Sequence, residues 1–125
     1  MVATVTHFAS YGDDLPGLAD FYQSLFGWQI TKAPGIDYHT VKTGAGVGGG
    51  LSRRPIDEPR SWVHYVSVPS VEEAVARVTE LGGTVVRGKT AVPKTAWYAV
   101  VADPEGNIFA VWQADPTAFP PALPD

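Results

Sequence analysis

The side chains in this sequence whose ordinary pKa suits proton transfer near neutral pH are its histidines. There are three histidines, and no cysteine is available as nucleophile, thiolate ligand or disulfide half. His39 sits in "IDYHTV", two residues after Asp37. Residues two apart on a strand share a face, so Asp37 could orient a His39 base; a plain surface or edge histidine fits the same pattern. His7 falls in the first predicted strand. It could serve as a general base, as a hydrogen-bond donor to a ligand, or as a satisfied cavity histidine. His64 reads by strand parity as a core or rim residue on the helix side. "SRRP" (52–55) offers two adjacent arginines, an anion clamp or a solvated linker. "GAGVGGG" (44–50) lacks the spacing of a dinucleotide fingerprint and opens no helix, and neither a phosphate loop nor a GxSxG elbow is present.

"DPEGNIFAVWQ" (103–113) shows how the chain positions what it has. Asp103-Pro104 starts a turn, and Gly106-Asn107 tolerates positive φ. The strand that follows points Ile108, Ala110 and Trp112 one way and Phe109, Val111 and Gln113 the other. Nothing reactive appears on either face before Gln113.

The elements repeat once. Laying residues 7–30 over 63–86 pairs Leu15 with Val71, Leu18 with Ala74, Tyr22 with Val78, Leu25 with Leu81, and Gly27 with Gly83. Each copy reads strand, helix, then three short strands. The first helix is predicted from about 14 to 25, with Leu15, Leu18, Tyr22 and Leu25 as its buried stripe. The second opens on a Ser70–Glu73 capping box and stops at Gly82-Gly83, with a stripe of Val71, Ala74, Val75, Val78 and Leu81. Strands are predicted near 27–32, 37–43, 46–52, 84–88, 96–102 and 107–113. The polar segment 53–61 reads as a linker between module one (about 3–52) and module two (about 62–113). The proline-rich 114–125 reads as a loose tail. A ferredoxin-like fold with a chance half-repeat is the alternative.

At 125 residues, 45% apolar and 18% charged, the chain is one domain able to bury a core. A net charge of −4 argues against nucleic acid as a partner. There is no leader-like start and no apolar run of membrane-spanning length, so a cytoplasmic protein without membrane partners is expected.

His7-Phe8, "DFYQSLFGW" (20–28), "ELGGTVV" (80–86) and "DPEGNIFAVWQ", in this order and spacing, resemble the vicinal oxygen chelate superfamily. Its members include glyoxalases, extradiol dioxygenases, fosfomycin-resistance enzymes and bleomycin-resistance proteins, and the likeness spans residues 3–113. The resemblance implies an α+β fold: two tandem βαβββ modules forming a cup-shaped mixed sheet with the helices outside. In the superfamily's metalloenzymes the first and last strands of each module supply ligands to a divalent metal. Carried over, these positions are His7, Gly50, Val63 and Ala110, and only His7 can ligate. Glycine-rich registers leave Gly49 or Leu51 as substitutes for Gly50, neither of them a ligand. His64, one step from Val63, points to the other face.

The expectation is therefore metal-independent binding, with no cofactor, of a small hydrophobic or aromatic metabolite. Sequestration of an antibiotic-like compound, as in bleomycin-resistance proteins, is its most concrete form. The wall would comprise His7, Gly50, Val63, Tyr65, Ile108, Ala110 and Trp112, with Trp112 and Tyr65 the leading aromatic contacts. Gly48, Gly49 and Gly50 either leave volume for the ligand or mark a closely packed or bulged edge strand. The alternatives are a lyase, isomerase or oxygenase, metal-dependent or using His7 or His39 as base, and a regulatory dimer with an unused cup. Short members of the superfamily complete their cups as homodimers, so a homodimer is expected.

Overall fold

The computed structural model describes residues 2–55, 58 and 61–119. The chain is α+β and contains two βαβββ modules. Module one runs β1 (Thr4–Gly12), α1 (Leu15–Phe26), β2 (Gln29–Lys32), β3 (Tyr38–Lys42) and β4 (Gly48–Arg53). Module two runs β5 (Trp62–Ser67), α2 (Val71–Glu80), β6 (Thr84–Val92), β7 (Ala96–Ala102) and β8 (Ile108–Ala114). The compact units are Thr6–His64, and Tyr65 onward together with the residues before Thr6.

In module one the strands lie in the order β2-β3-β4-β1, and in module two β5-β8-β7-β6. The first and last strands of each module are parallel neighbours; the remaining pairs are antiparallel. The helix is the crossover that parallel pairing requires. It covers one sheet face. In module one Phe8, Leu15, Ala19, Val41 and Leu51 form that core, with Leu18, Tyr22, Trp28 and Ile30 packed against it. In module two Val71, Ala99 and Val111 do so, with Val75, Trp97 and Phe109 beside them.

Both helices are closed by local chemistry. The Asp14 side chain accepts from the Gly17 N–H at 3.1 Å, and Gly27, at φ +70°, ends α1 in the left-handed conformation. Ser70 Oγ accepts from the Glu73 N–H at 3.1 Å. A second cap comes from the last strand: Gln113 Oε1 accepts from the Val71 N–H at 2.9 Å. Two stripe residues depart from expectation. Leu25 is 58% exposed because the inward direction of α1 is centred on Leu15, Ala19 and Tyr22, and Leu25 lies well to one side. Leu81 is 62% exposed because α2 ends at Glu80 and Leu81 is its cap.

The turn before β8 is built as its residues suggest. Asp103 Oδ1 accepts from the N–H groups of Glu105 at 2.9 Å and Asn107 at 3.0 Å, and Gly106 takes φ +89°. Ala114, the first residue of the expected loose tail, ends β8, and residues 115–119 beyond it are held rather than loose. The Lys94 N–H donates to Ala118 O at 2.9 Å, Trp97 Nε1 donates to Asp115 Oδ2 at 3.0 Å, and Ala118 is buried. Proline bars a further strand there, but side-chain and turn hydrogen bonds replace the ladder. Residues 120–125 of the expected tail, and 56, 57, 59 and 60 of the expected linker, lie outside the described residues.

The double cap on α2 yields a prediction. Gln113→Ala leaves the Val71 N–H without its side-chain acceptor and should lower stability by about 1 kcal/mol, the usual cost of losing a helix cap. Urea denaturation checks this, and Ser70→Ala should cost a similar amount.

Candidate functional site

Within module two, the face of the sheet turned away from α2 is set by three registers. Tyr65 pairs with Ala110 across β5 and β8, and Ala110 pairs with Val100 across β8 and β7. One step along, Trp112 pairs with Tyr98. Paired residues project to the same side, so Tyr65, Tyr98, Val100, Ile108, Ala110 and Trp112 share this face. Phe109 and Val111 turn to the helix. Ala110 and Val100 on this face are fully buried. Around them the rings of Tyr65 and Trp112 meet edge to face at 5.8 Å, and Tyr65 and Tyr98 are 6.5 Å apart. All three aromatics, and Ile108, remain partly exposed.

A cation joins them through a bulge. β6 pairs Val85 with Val101, but Arg87 pairs with Val100. Two residues on β6 thus span one on β7, and the extra residue reverses parity. Without it Arg87 would oppose Ala99 and point to the helix. With it Arg87 shares the face of Val100, and its Nη1 donates to the Tyr98 hydroxyl at 3.2 Å. Arg87 and Tyr98 were not among the expected wall residues. Tyr98 was findable from the hairpin register; for Arg87 the available signal is Gly88 beside it inside β6, which suggests an irregular strand but not which way Arg87 turns.

Module one carries its own version. Ala9 pairs with Gly50, and Gly50 with Thr40, on the face away from α1, together with His7 and Gly48. Gly50 is the counterpart of Ala110, since each is flanked by the first and the penultimate strand in the same way. A Cβ on Gly50 would fall inside the phenol of Tyr38. Gly50 therefore leaves room that Tyr38 already fills, and Gly49 backs against Phe8 in the same manner. The triple glycine is close packing on an interior strand, not open volume. Burial pushes the Tyr38 hydroxyl above the ordinary tyrosine value, so it is a neutral donor. Tyr11 on this face donates to Glu58 Oε1 at 3.0 Å.

His7 is half-buried, and its Nδ1 lies 2.9 Å from Thr6 Oγ1. Burial lowers its pKa from the ordinary 6.5, favouring the neutral ring. His39 differs from its expected setting. It pairs with Leu51 on the α1 side, is buried, and its Nδ1 has no hydrogen-bond partner among the described residues. Asp37 forms its ion pair with Arg53 instead of orienting His39. His39 thus faces the helix and shares no face with His7. Val63 is fully buried on β5, and His64 beside it is exposed. Arg54 of the "SRRP" pair bonds Asp13 at 3.3 Å, so both arginines have carboxylate partners.

The positions that hold a metal in the superfamily do not fit one here. Module one offers His7 and Gly50, and module two offers Val63 and Ala110. The space a longer side chain at position 50 would need is taken by a phenol. Among the described residues no group of three or more His, Asp or Glu is close enough to share an ion, and three protein ligands are the usual minimum.

Residues 9–112 match the family model described as a glyoxalase-like domain. The chain is 31% identical over 108 residues to the CFP32 protein of Mycobacterium tuberculosis, covering 82% of this chain and 41% of that one. It is 30% identical over 118 residues to the anthracycline biosynthesis protein DnrV of Streptomyces peucetius, covering 80% and 43%. The chain thus spans about two fifths of the length of these relatives. In fold it is similar to a glyoxalase/bleomycin resistance protein/dioxygenase superfamily member from Vibrio splendidus, with TM-score 0.62, 18% identity and coverage of 90% and 99%. It is also similar to methylmalonyl-CoA epimerase from Mycobacterium tuberculosis, with TM-score 0.64, 15% identity and coverage of 93% and 94%.

Two measurements check the geometry. The His7 ring should titrate by NMR with a midpoint below 6.5. The unfolded chain then binds the extra proton first, so this histidine's contribution to stability is complete above 6.5 and declines as pH falls through the folded-state value. Gly50→Ala should cost about 1–3 kcal/mol by overpacking. Tyr38→Ala in the same chain should relieve much of that cost, and a double-mutant cycle in urea reads the coupling.

Proposed function

Because the chain belongs to the glyoxalase-like domain family of the vicinal oxygen chelate superfamily, we propose that it uses the family scaffold for metal-independent binding of a small hydrophobic or aromatic metabolite. The observation that carries this reading is the cluster of partly exposed aromatic rings, Tyr65, Tyr98 and Trp112, on the sheet face away from α2. Partly exposed aromatic rings on one face suit a planar ligand. In its narrower form the reading is sequestration of an antibiotic-like compound. Relatives named for anthracycline biosynthesis support it, since anthracyclines are flat fused-ring molecules.

A second reading is metal-free turnover with His7 as general base. Its support is the neutral, half-buried imidazole, which can accept a proton at neutral pH. Recovery of bound ligand chemically unchanged after incubation separates binding from turnover. We also propose a homodimer, supported by Phe21, Leu25 and Phe26, each more than half exposed along α1.

Three outcomes are expected. Elemental analysis of tag-free protein should find no stoichiometric divalent metal; about one equivalent per chain would overturn the metal-free reading. An anthraquinone probe should quench tryptophan emission, and Trp112→Ala should weaken its binding roughly tenfold, the loss of one aromatic contact plus its burial. Unchanged affinity in a folded variant would remove Trp112 from the site. Light scattering at micromolar concentration should give twice the 13.3 kDa chain mass.

A further inference from the structure

We infer that module two carries a second binding site on its α2 side, an apolar track across the end of α2 that takes a linear alkylammonium amphiphile. The track lies on the opposite side of the sheet from the aromatic rings and does not depend on their role.

The way α2 is closed creates the track. The Gly83 N–H donates to Val78 O at 2.9 Å and the Gly82 N–H to Thr79 O at 3.2 Å, with Gly82 at φ +92°. This is a Schellman closure, in which an apolar side chain two residues past the cap commonly packs against the last turn of the helix. Here that residue is Gly83, and the backbone demands glycine: a Cβ there would stand 2.5 Å from Ala102 O and 2.7 Å from Val78 Cγ1. The covering side chain is therefore missing. A hollow of about 170 Å³ opens beside it, lined by Val78, Leu81, Ala102, Pro104 and Phe109. Val78 and Leu81 also wall a larger hollow of about 420 Å³, which runs back along α2 past Ala74 to Val68 and Pro69. The two hollows meet at these shared residues, and the closed backbone holds Leu81 out between them, 62% exposed.

The lining selects the ligand. The side chains of Val68, Pro69, Ala74, Val78, Leu81 and Phe109 offer no hydrogen bond, so the track rewards buried hydrocarbon. A rise of about 1.5 Å per residue sets Glu73 and Leu81 about 12 Å apart along α2, a length that matches an extended chain better than a compact ring. Charge borders the larger hollow at Glu73 and Arg77. Arg77 Nη1 bonds Glu80 Oε2 at 2.9 Å, so its charge is matched. Asp103, beside the smaller hollow, is engaged by its own turn. Glu73 has no ion-pair partner among the described residues. An alkylammonium sets its head at Glu73 and its chain across Val78 and Leu81 toward Phe109. A fatty acid of the same length would bring two carboxylates together, and the net charge of −4 disfavours it further.

The test is calorimetry on the full chain with hexyl-, octyl- and decylammonium and with decanoate, each below its micellisation concentration. Affinity should rise several-fold with each two-carbon extension, as burial of methylenes requires. Decylammonium should bind about threefold tighter than decanoate, the modest worth of an exposed ion pair. Glu73→Gln should erase that preference and keep the dependence on chain length. Leu81→Ser should weaken both decyl probes several-fold. If Leu81→Ser does not fold, methyl NMR of the parent gives the answer: the Val78 and Leu81 signals should shift with decylammonium, and unmoved signals would overturn the inference. Failure of the alkyl probes to bind, affinity independent of chain length, equal binding of decylammonium and decanoate, or a preference that survives Glu73→Gln would overturn it too. So would full affinity in a folded Leu81→Ser variant, or displacement of an anthraquinone probe by decylammonium. All of these outcomes leave the aromatic-face reading standing.

Discussion

The parallel pairing of the first and last strands within each module is the constraint on which the other features depend. It sets Ala9 beside Gly50 in module one and Tyr65 beside Ala110 in module two. Parallel neighbours need a crossover, and a helix supplies it, so one face of each sheet is committed to apolar packing. Every residue available for chemistry must then come from the other face. Alternation does the sorting: Phe8 and Val111 go to the helices, and His7 and Ala110 go away from them.

Given that sorting, three of the four positions at which the superfamily's metalloenzymes carry ligands hold side chains that cannot ligate: Gly50, Val63 and Ala110. In module one a tyrosine from the penultimate strand lies over a glycine of the last. In module two the corresponding tyrosine, Tyr98, stays partly exposed, with its hydroxyl bonded to Arg87. The two modules thus share a framework but differ in what it presents. Module one presents a neutral imidazole and a buried phenol, and module two presents an aromatic rim with one cation. Desolvation explains the first pair, since it favours the neutral form of His7 and of Tyr38 alike.

Much of this was legible in the residues. Helix periodicity, the Ser70 cap, the Asp103 turn and strand alternation are local signals, and they put Ile108, Ala110, Trp112 and Tyr65 on one face and identified both helices. What escaped depended on tertiary pairing. The β6 bulge reverses the parity of Arg87 with no glycine or proline at the extra residue to announce it. Strand parity linked His39 to Asp37, but the Asp37–Arg53 ion pair comes from a residue sixteen positions away. The glycines of β4 read as empty because the sequence does not reveal which ring lies over them. Leu25 and Leu81 fit a helical repeat whose last turn does not reach the core.

Gln113 ties the two faces of module two together. Its neighbour Trp112 stands on the aromatic side, while its own amide oxygen caps α2 on the other. A slip of one residue in β8 would turn Trp112 inward and withdraw the cap in the same motion, so the register of the strand is pinned from outside the aromatic face. Because the pin does not involve the aromatic side, a partly exposed residue there such as Trp112 can be exchanged without withdrawing the cap. The composition of the exposed aromatic side is therefore separable from the contact that holds the strand in register.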